Sequence, residues 1–397
     1  MKFFLVLVLL VSALYGAKVV EVSQEYQKSQ KCKACHLEIV KDWEGSWHAK
    51  SHYDKDEYFS KSIEYVARKS RKSSNSVKVQ CATCHNPRIA VTDTGIDYEI
   101  QVLMELDKNS KVNKAIESSA INEGINCVVC HNIDKIHHDR DDTFRGMDRV
   151  SWTKSGLMVG PLEHSTSPYH ETEHRDFMDE KSDELCFVCH ANDRSIKGLV
   201  FTNMQDEYKK QDKACVDCHM GTKTVGVAST LRTQDGHTKK REVREHSFFG
   251  AHTENLWINA LELDVWQEKD EILIALKNPQ PHNIPSGFGS RELIIDIEYM
   301  KPGNIVNTKS ISLTRHYTRR KGKPTIPHLA QEMSEDISIP ANGKKVLKVK
   351  KEADTTSVEV KVYYRLVNDE VHSILKLKEA IWSKKFFINS KSLKLKQ

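Results

Sequence analysis

The chain has 397 residues, with 60 Lys+Arg against 55 Asp+Glu and a formal net charge of +5. Its mean hydropathy is −0.56, and 39% of its residues are hydrophobic. The length fits two or three domains. The small positive excess is at most a weak hint of an acidic partner. Beyond the N-terminus no segment is apolar enough to cross a bilayer.

Met1-Lys2 supplies a positive charge, Phe3 to Ala13 is almost wholly apolar, and the small residues Gly16 and Ala17 precede a polar stretch from Lys18. That order predicts a secretory signal peptide over residues 1–17, and hence a periplasmic mature chain without a membrane span. The apolar run is shorter than the ~20 residues that span a bilayer. Cys32, the first cysteine, lies well past it, which argues against a lipid-modified N-terminal Cys.

All ten cysteines lie in C-x-x-C-H pentapeptides. The pairs are Cys32 and Cys35, Cys81 and Cys84, Cys127 and Cys130, Cys186 and Cys189, and Cys215 and Cys218. The histidines that follow them are His36, His85, His131, His190 and His219. Chance predicts about 0.01 such pentapeptides at this Cys and His content. Two thiols three positions apart add across the two vinyl groups of one haem, and the next residue offers its imidazole to the iron. Zinc would need four ligands gathered from distant pairs. A thioredoxin-like site needs one pair in a βαβ setting. Disulfides leave the following histidines unexplained. The pattern therefore predicts five covalent haem c groups with those five histidines as proximal ligands. Their propionates would add about ten negative charges, which cancels the hint of an acidic partner and leaves no support for nucleic-acid binding.

The motif starts are irregularly spaced, so the chain is not a tandem repeat. Between them it reads as helices and loops. Asp54 to Ala67, Tyr98 to Leu106 and Ala115 to Ile121 have helical spacing, and the Lys/Ser-rich stretch Lys69 to Lys78 reads as a solvated loop. This region, residues 18–254, is the expected pentahaem domain. Alternation then takes over at Leu261-Leu263-Val265, Ile272-Ile274-Leu276, Leu293-Ile295-Ile297-Tyr299, Ile311-Leu313 and Val358-Val360-Val362-Tyr364. Turn signals separate the runs at Lys269-Asp270, Pro302-Gly303-Asn304, Asn342-Gly343 and Asn368-Asp369. Residues 255–382 are thus expected to form a β-sandwich-like domain. Arg315 to Lys323 reads as a solvated loop, and residues 383–397 as a loosely held basic tail. The fold class is multidomain α+β: a mainly helical and loop pentahaem domain followed by the β domain.

Of 19 histidines, 14 are not proximal. A low-spin electron-transfer haem takes a second axial ligand, usually His or Met. His48 follows the first motif closely, between aromatic residues that can pack on a porphyrin. His170 follows Ser167-Pro168-Tyr169, and His246 precedes Ser247-Phe248-Phe249-Gly250. His138, with its neighbour His137, follows the third motif. These are the distal candidates; His164, His174, His252 and His282 rank lower, and His52, His237, His316, His328 and His372 are expected at the surface. No C-x-x-C-K occurs.

These residues resemble the cytochrome c-552/c-554-type family of multihaem cytochromes over most of the mature chain. The resemblance rests on the first motif followed by the WxxSxHA pattern at Trp43 to Ala49, and on Glu123-Gly124-Ile125-Asn126 before the third motif. It continues through Gly160-Pro161-Leu162, Ser167-Pro168-Tyr169-His170, Leu185 before the fourth motif, Glu207-Tyr208-Lys209 before the fifth and His246-x-Phe-x-Gly. It implies that His48 is a distal ligand. The C-terminal part resembles the family's β domain, whose G-H-x-x-P-T-G pattern stands here as Pro281-His282-Asn283-Ile284-Pro285-Ser286-Gly287, with departures at Pro281 and Ser286. The family holds both electron carriers and enzymes.

The expected function is electron transfer in a periplasmic respiratory chain, with redox protein partners such as a membrane quinol dehydrogenase or a terminal reductase. The alternative is an oxidoreductase that acts on a small nitrogen or sulfur compound at one open-site haem. A third reading makes the β domain a docking module; a stabilising cap is the simpler role for it.

Overall fold

The computed structural model describes residues 28–141, 144–154, 157–209, 213–232, 235–334 and 337–396. The expected signal peptide at 1–17 lies outside the described residues. The chain divides into two compact units: Met1–Cys189 with Cys215–Phe248, and His190–Ala214 with Phe249–Gln397.

The first unit is built of short helices, α1 (Ser29–Lys33), α2 (Leu37–Glu44), α3 (Glu57–Ser70), α4 (Ser74–His85), α5 (Ile96–Leu103), α6 (Lys111–Ile116) and α7 (Cys127–His131). The strands β1 (Ile133–Ile136) and β2 (Val150–Trp152) pair antiparallel, β3 (Leu157–Gly160) and β4 (Glu171–His174) pair parallel, and α8 (Ser182–His190) follows. Helix ends follow local chemistry. The Asp56 carboxylate accepts the Phe59 N–H at the start of α3, and the Ser110 hydroxyl accepts the Asn113 N–H at the start of α6.

The predicted helix at Asp54 to Ala67 appears as α3, and Tyr98 to Leu106 overlaps α5. Ala115 to Ile121 shares only its first two residues with α6. The predicted loop at Lys69 to Lys78 is a correction. Only a three-residue break separates α3 from α4, because Arg71 takes a left-handed φ of 59° and the Ser73 hydroxyl caps Ser76. Lys and Ser hid a helix whose buried face is Ser76, Val77, Val79 and Ala82.

Three small apolar clusters each touch a C-x-x-C-H turn. One gathers Val79, Ala82, Ile89, Val91, Tyr98, Val112, Ala115, Ile116 and Ile121; another has Val188 with Cys189 packed against it; the third has Val40, Trp43 and Ala49 around Cys32.

In the second unit β5 (Asp193–Arg194) pairs with β6 (Val200–Thr202), and α9 (Met204–Glu207) follows with Asn203 as its cap. Chain order then returns to the first unit for α10 (Cys215–His219) and the hairpin of β7 (Thr224–Arg232) and β8 (Thr238–Val243). The strands β1 to β4, β7 and β8 were not read from sequence, because they are short or, like β7, carry no clean inside–outside alternation.

The rest of the second unit is mostly antiparallel sheet. After α11 (Glu254–Trp257) come β9 (Glu262–Glu268), β10 (Glu271–Lys277), β11 (Glu292–Lys301), β12 (Asn304–Thr314), β13 (Tyr317–Arg319), β14 (Lys323–Pro324), β15 (Glu332–Met333), β16 (Lys344–Lys350) and β17 (Ser357–Arg365). Helix α12 (Asp369–Leu375) and β18 (Phe386–Lys394) complete it. The sheets are ordered β16-β10-β9, β12-β11-β17-β18 and β14-β13-β15. All five predicted alternating runs are strands. In register, Leu293 opposes Tyr364, Ile295 opposes Val362, Ile297 opposes Val360 and Tyr299 opposes Val358, and all eight are essentially buried. Each such side chain adds about 1.5–3 kcal/mol on burial. Trp257 stacks on Tyr364 at 3.7 Å between ring centroids.

Two expectations change here. Arg315 to Lys323 is solvated only in its second half: Arg320 to Lys323 are exposed, but Tyr317 is fully buried with Phe201, and Arg315, 7% exposed, donates to the Phe201 carbonyl. The tail 383–397 is mostly strand, because β18 pairs with β17 and buries Phe386 and Ile388. The division between units also differs from the expected 254/255, since β5 and β6 pack with this unit: the Ser195 hydroxyl donates to the Ala330 carbonyl at 2.7 Å.

Candidate haem-attachment site

Each C-x-x-C-H lies on a helical turn. α4, α7, α8 and α10 end on the motif histidine, and the first motif leaves α1 through a turn in which His36 N–H donates to the Cys32 carbonyl at 2.8 Å. Helical spacing puts cysteines three apart on one face, as a two-point attachment requires. None of the ten forms a disulfide.

The turns are brought together by segments remote in sequence. Trp43 Nε1–H donates to the Ile125 carbonyl at 2.7 Å, and the Ile125 N–H donates to the His48 carbonyl at 3.0 Å. Glu123 accepts from the Ser29 N–H, the Ser29 hydroxyl and the Asn126 amide. Gly124 makes the approach possible: its φ is +64°, and a Cβ there would lie 2.6 Å from the His48 carbonyl oxygen. The two motif-like segments Trp43 to Ala49 and Glu123 to Asn126 are thus one clamp that sets the first and third attachment turns side by side.

Thiols of different motifs consequently meet. Cys32 and Cys127 lie close enough to shift each other's titration, and so do Cys84 beside Cys189 and Cys186 beside Cys215. The neighbouring Cys127 thiol and then burial push the Cys32 thiol up, while Cys32 holds Cys127 down at about 7. Burial, then the neighbouring Cys186, pushes Cys130 up to about 12.

Four of the imidazoles have a backbone carbonyl at Nδ1. His36 Nδ1 lies 2.6 Å from the Ala228 carbonyl of β7, and His131 Nδ1 lies 2.7 Å from the Val159 carbonyl of β3. His246 and His170 Nδ1 face the carbonyls of Arg244 and Glu171 at 3.1 and 3.2 Å. A carbonyl at Nδ1 fixes the tautomer with the proton there and leaves Nε2 for the iron. Burial, and then the charge of His131, holds His246 neutral down to about 4; burial also lowers His131. Neutral imidazole is the ligating form.

His36 and His170 have ring centroids 6.4 Å apart, and so do His131 and His246, the latter pair within 20° of parallel. Two imidazoles bound to one metal at ~2.0 Å each, with ring centres ~1.2 Å behind the nitrogens, would stand about 6.4 Å apart. The residues present therefore fit haem iron. Among the described residues no group of three or more His, Cys, Asp or Glu is arranged to hold a bare metal ion.

The other expectations fare unevenly. His48 lies against Phe248 at 4.4 Å between ring centroids. His138 Nε2 is 3.2 Å from Glu184, with its side chain 59% exposed, and His137 Nε2 is 2.6 Å from the Ser151 hydroxyl. His282 Nδ1 faces the Asn283 carbonyl at 2.9 Å. Of the histidines expected at the surface, His52 is buried and His328 is half-buried. His328 packs on Phe201 and Phe288, and His52 is 1% exposed. His52 Nδ1 accepts the Asp54 N–H, which sets the tautomer opposite to that of an Nε2 ligand. The carbonyls of Ala228 and Val159 had no signal in the sequence, because any residue can supply a backbone acceptor.

Residues 64–231 match the family model of the outer membrane cytochrome MtrC/MtrF-like proteins, domains II/IV. The fold is similar to the crystal structure of a penta-heme cytochrome c552 from Thermochromatium tepidum, with a TM-score of 0.68, 19% identity and coverage of 93% of this chain and 98% of that one. The chain has a multihaem cytochrome fold. The two findings together support a multihaem c-type cytochrome with covalently bound haem. A superoxide reductase in the oxidised state aligns with a TM-score of only 0.18 at 6% identity, over 35% of this chain and 88% of that chain, too low to bear on the fold. No curated protein matches the chain. Among the described residues no helix is long and apolar enough to cross a membrane.

Proposed function

We propose that this chain is an exported pentahaem c-type cytochrome that relays electrons between redox proteins of a respiratory chain, such as a quinol dehydrogenase and a terminal reductase. The observation that supports the reading is the pair of imidazole couples, His36 with His170 and His131 with His246, each 6.4 Å between centroids, the spacing of two ligands on one iron. A six-coordinate bis-histidine iron exchanges electrons without binding a substrate. Haem supplies the one-electron couple, and ligands and burial set its potential.

The chain's part is spacing. Thiol contacts link the turn at Cys32 to that at Cys127, the turn at Cys84 to that at Cys189, and the turn at Cys186 to that at Cys215. Cys130 lies close enough to Cys186 to be influenced by its charge. These contacts support a continuous relay in which the fourth motif is the junction. His170 and His246 are assigned as distal ligands of the first and third haems.

The test is mass spectrometry and EPR of the oxidised protein. The reading expects a mass gain of five haems and low-spin signals, with His170→Ala and His246→Ala each converting one low-spin centre to high spin. Wild-type spectra without a low-spin bis-histidine component refute it. Edman sequencing of periplasmic material tests the signal peptide by whether the mature chain begins near Lys18.

A further inference from the structure

Among the described residues, buried charge is paired, with one exception. The buried Asp, Glu, Lys and Arg side chains there are Glu292, Arg315 and Arg88. Glu292 accepts from Arg365, and Arg315 lies 3.7 Å from Glu207. Arg88 is 8% exposed, and its Nε is enclosed without a hydrogen-bond partner. Burial disfavours its cation, and no neighbouring charge among the described residues offsets that. The guanidinium carbon lies 4.8 Å from the centre of the Trp152 ring. Stacking uses the flat face of a guanidinium and leaves its N–H donors, which point outward in the plane, unmet. A lone buried cation is costly, so the site calls for an anion.

Its place in the fold says which anion. Arg88 follows His85 by three residues. The segment that carries Trp152 is fastened to two C-x-x-C-H turns. Gly146, with φ +56°, packs so closely on the Thr83 carbonyl that a Cβ has no room, and the Arg149 guanidinium donates to the Phe187 carbonyl at 3.3 Å. Trp152 and Cys189 pack on the same apolar cluster, and Cys84 lies beside Cys189. The orphaned guanidinium thus belongs to the junction of the second and fourth turns. A haem attached at either turn carries two carboxylates on a tether, which gives them a high local concentration that a free anion lacks. Guanidinium and carboxylate match as a two-point hydrogen-bonded pair.

We propose that Arg88 is the buried counter-ion of a haem propionate at the junction of the second and fourth attachment turns, and that its charge raises the reduction potential of that haem. The proposal rests on the covalent-haem reading and deepens it by naming a residue that holds the cofactor's acidic edge. A fixed positive charge near an iron favours the ferrous state, which carries one positive charge fewer than the ferric.

The test uses the full haem-loaded chain. Spectroelectrochemical titration gives the potential of each haem in wild type, Arg88→Met and Arg88→Lys, and mass spectrometry counts the haems in each. Arg88→Met should lower the equilibrium constant for reduction of one haem about tenfold, or ~59 mV for a one-electron couple. Arg88→Lys keeps the charge and should recover most of that fall. Proton NMR of the oxidised protein names the haem affected: its methyl groups contact Ala82 and Thr83 if it is the second, Phe187 and Val188 if it is the fourth. Unchanged potentials in Arg88→Met with all haems attached overturn the proposal. So does an equal fall in both variants, which marks a packing effect. A wild-type potential that tracks added nitrite or phosphate, and ceases to do so in Arg88→Met, gives the guanidinium to a free anion and overturns it too. If Arg88→Met does not mature, a crystal structure of the haem-loaded wild type decides, by whether a propionate oxygen lies within about 3 Å of the guanidinium. Wild type with no haem mass strikes the cytochrome reading itself, and the proposal falls with it.

Discussion

Gly124→Ala tests the clamp between the first and third attachment turns. The residue has φ +64°, and the new methyl would lie 2.6 Å from the His48 carbonyl oxygen and 2.9 Å from the Ser51 nitrogen. The left-handed backbone alone costs an L-residue ~1–2 kcal/mol. Forcing a methyl into packed backbone costs about 1–3 kcal/mol more, and the Ile125 N–H bond to His48, 3.0 Å long, contributes about 1 kcal/mol. The expected loss is about 3–6 kcal/mol, which for a unit of this size lowers Tm by at least ~6 °C. Gly160→Ala is the control: a Cβ there meets nothing within 4 Å, so its effect should stay within about 0.5 kcal/mol. Thermal unfolding followed at the Soret band compares the two proteins. If Gly124→Ala melts within ~2 °C of the Gly160→Ala control, the clamp does not hold the turns together and the reasoning fails.

Three further outcomes are expected. His246→Met should keep one centre six-coordinate and low-spin but raise its reduction potential, because Met/His ligation favours the ferrous state; spectroelectrochemical titration reads it. Arg315→Met removes the guanidinium 3.7 Å from the Glu207 carboxylate, both side chains being near 10% exposed (8% and 12%), while the Ser286 hydroxyl still donates to that carboxylate; chemical denaturation should show a loss of about 1.5–3 kcal/mol. Burial pushes the Tyr364 phenol from 10.0 up to about 12, and its hydroxyl has no hydrogen-bond partner among the described residues. The folded state therefore holds that proton more tightly than the unfolded one. Its stabilisation is complete below pH 10 and lost as pH rises to about 12, a fall of about 2–3 kcal/mol. Tyr364→Phe should flatten that alkaline limb of the stability curve without loss at neutral pH.

Legibility in the sequence followed the range of the interactions. The five C-x-x-C-H turns could be read because the two cysteines and the histidine of each come from five consecutive residues. The strands β9 to β11 could be read because one buried face imposes alternation. The strand β18 could not, since its Lys and Ser residues face solvent at a sheet edge and only Phe386 and Ile388 point inward. Helix α4 was hidden similarly by Lys and Ser around a single capping hydroxyl.

The sequence by itself determined the candidate chemistry: which cysteines are paired for a covalent cofactor, which histidines follow them, and which residues could complete a coordination. Only the tertiary structure decided which histidine faces which. It set His170 opposite His36 and His246 opposite His131, and it buried His52 in a tautomer unsuited to ligation. The physical reason is that a distal imidazole arrives through space, on a loop placed by backbone carbonyls and a glycine's close approach, and none of these leaves a pattern along the chain.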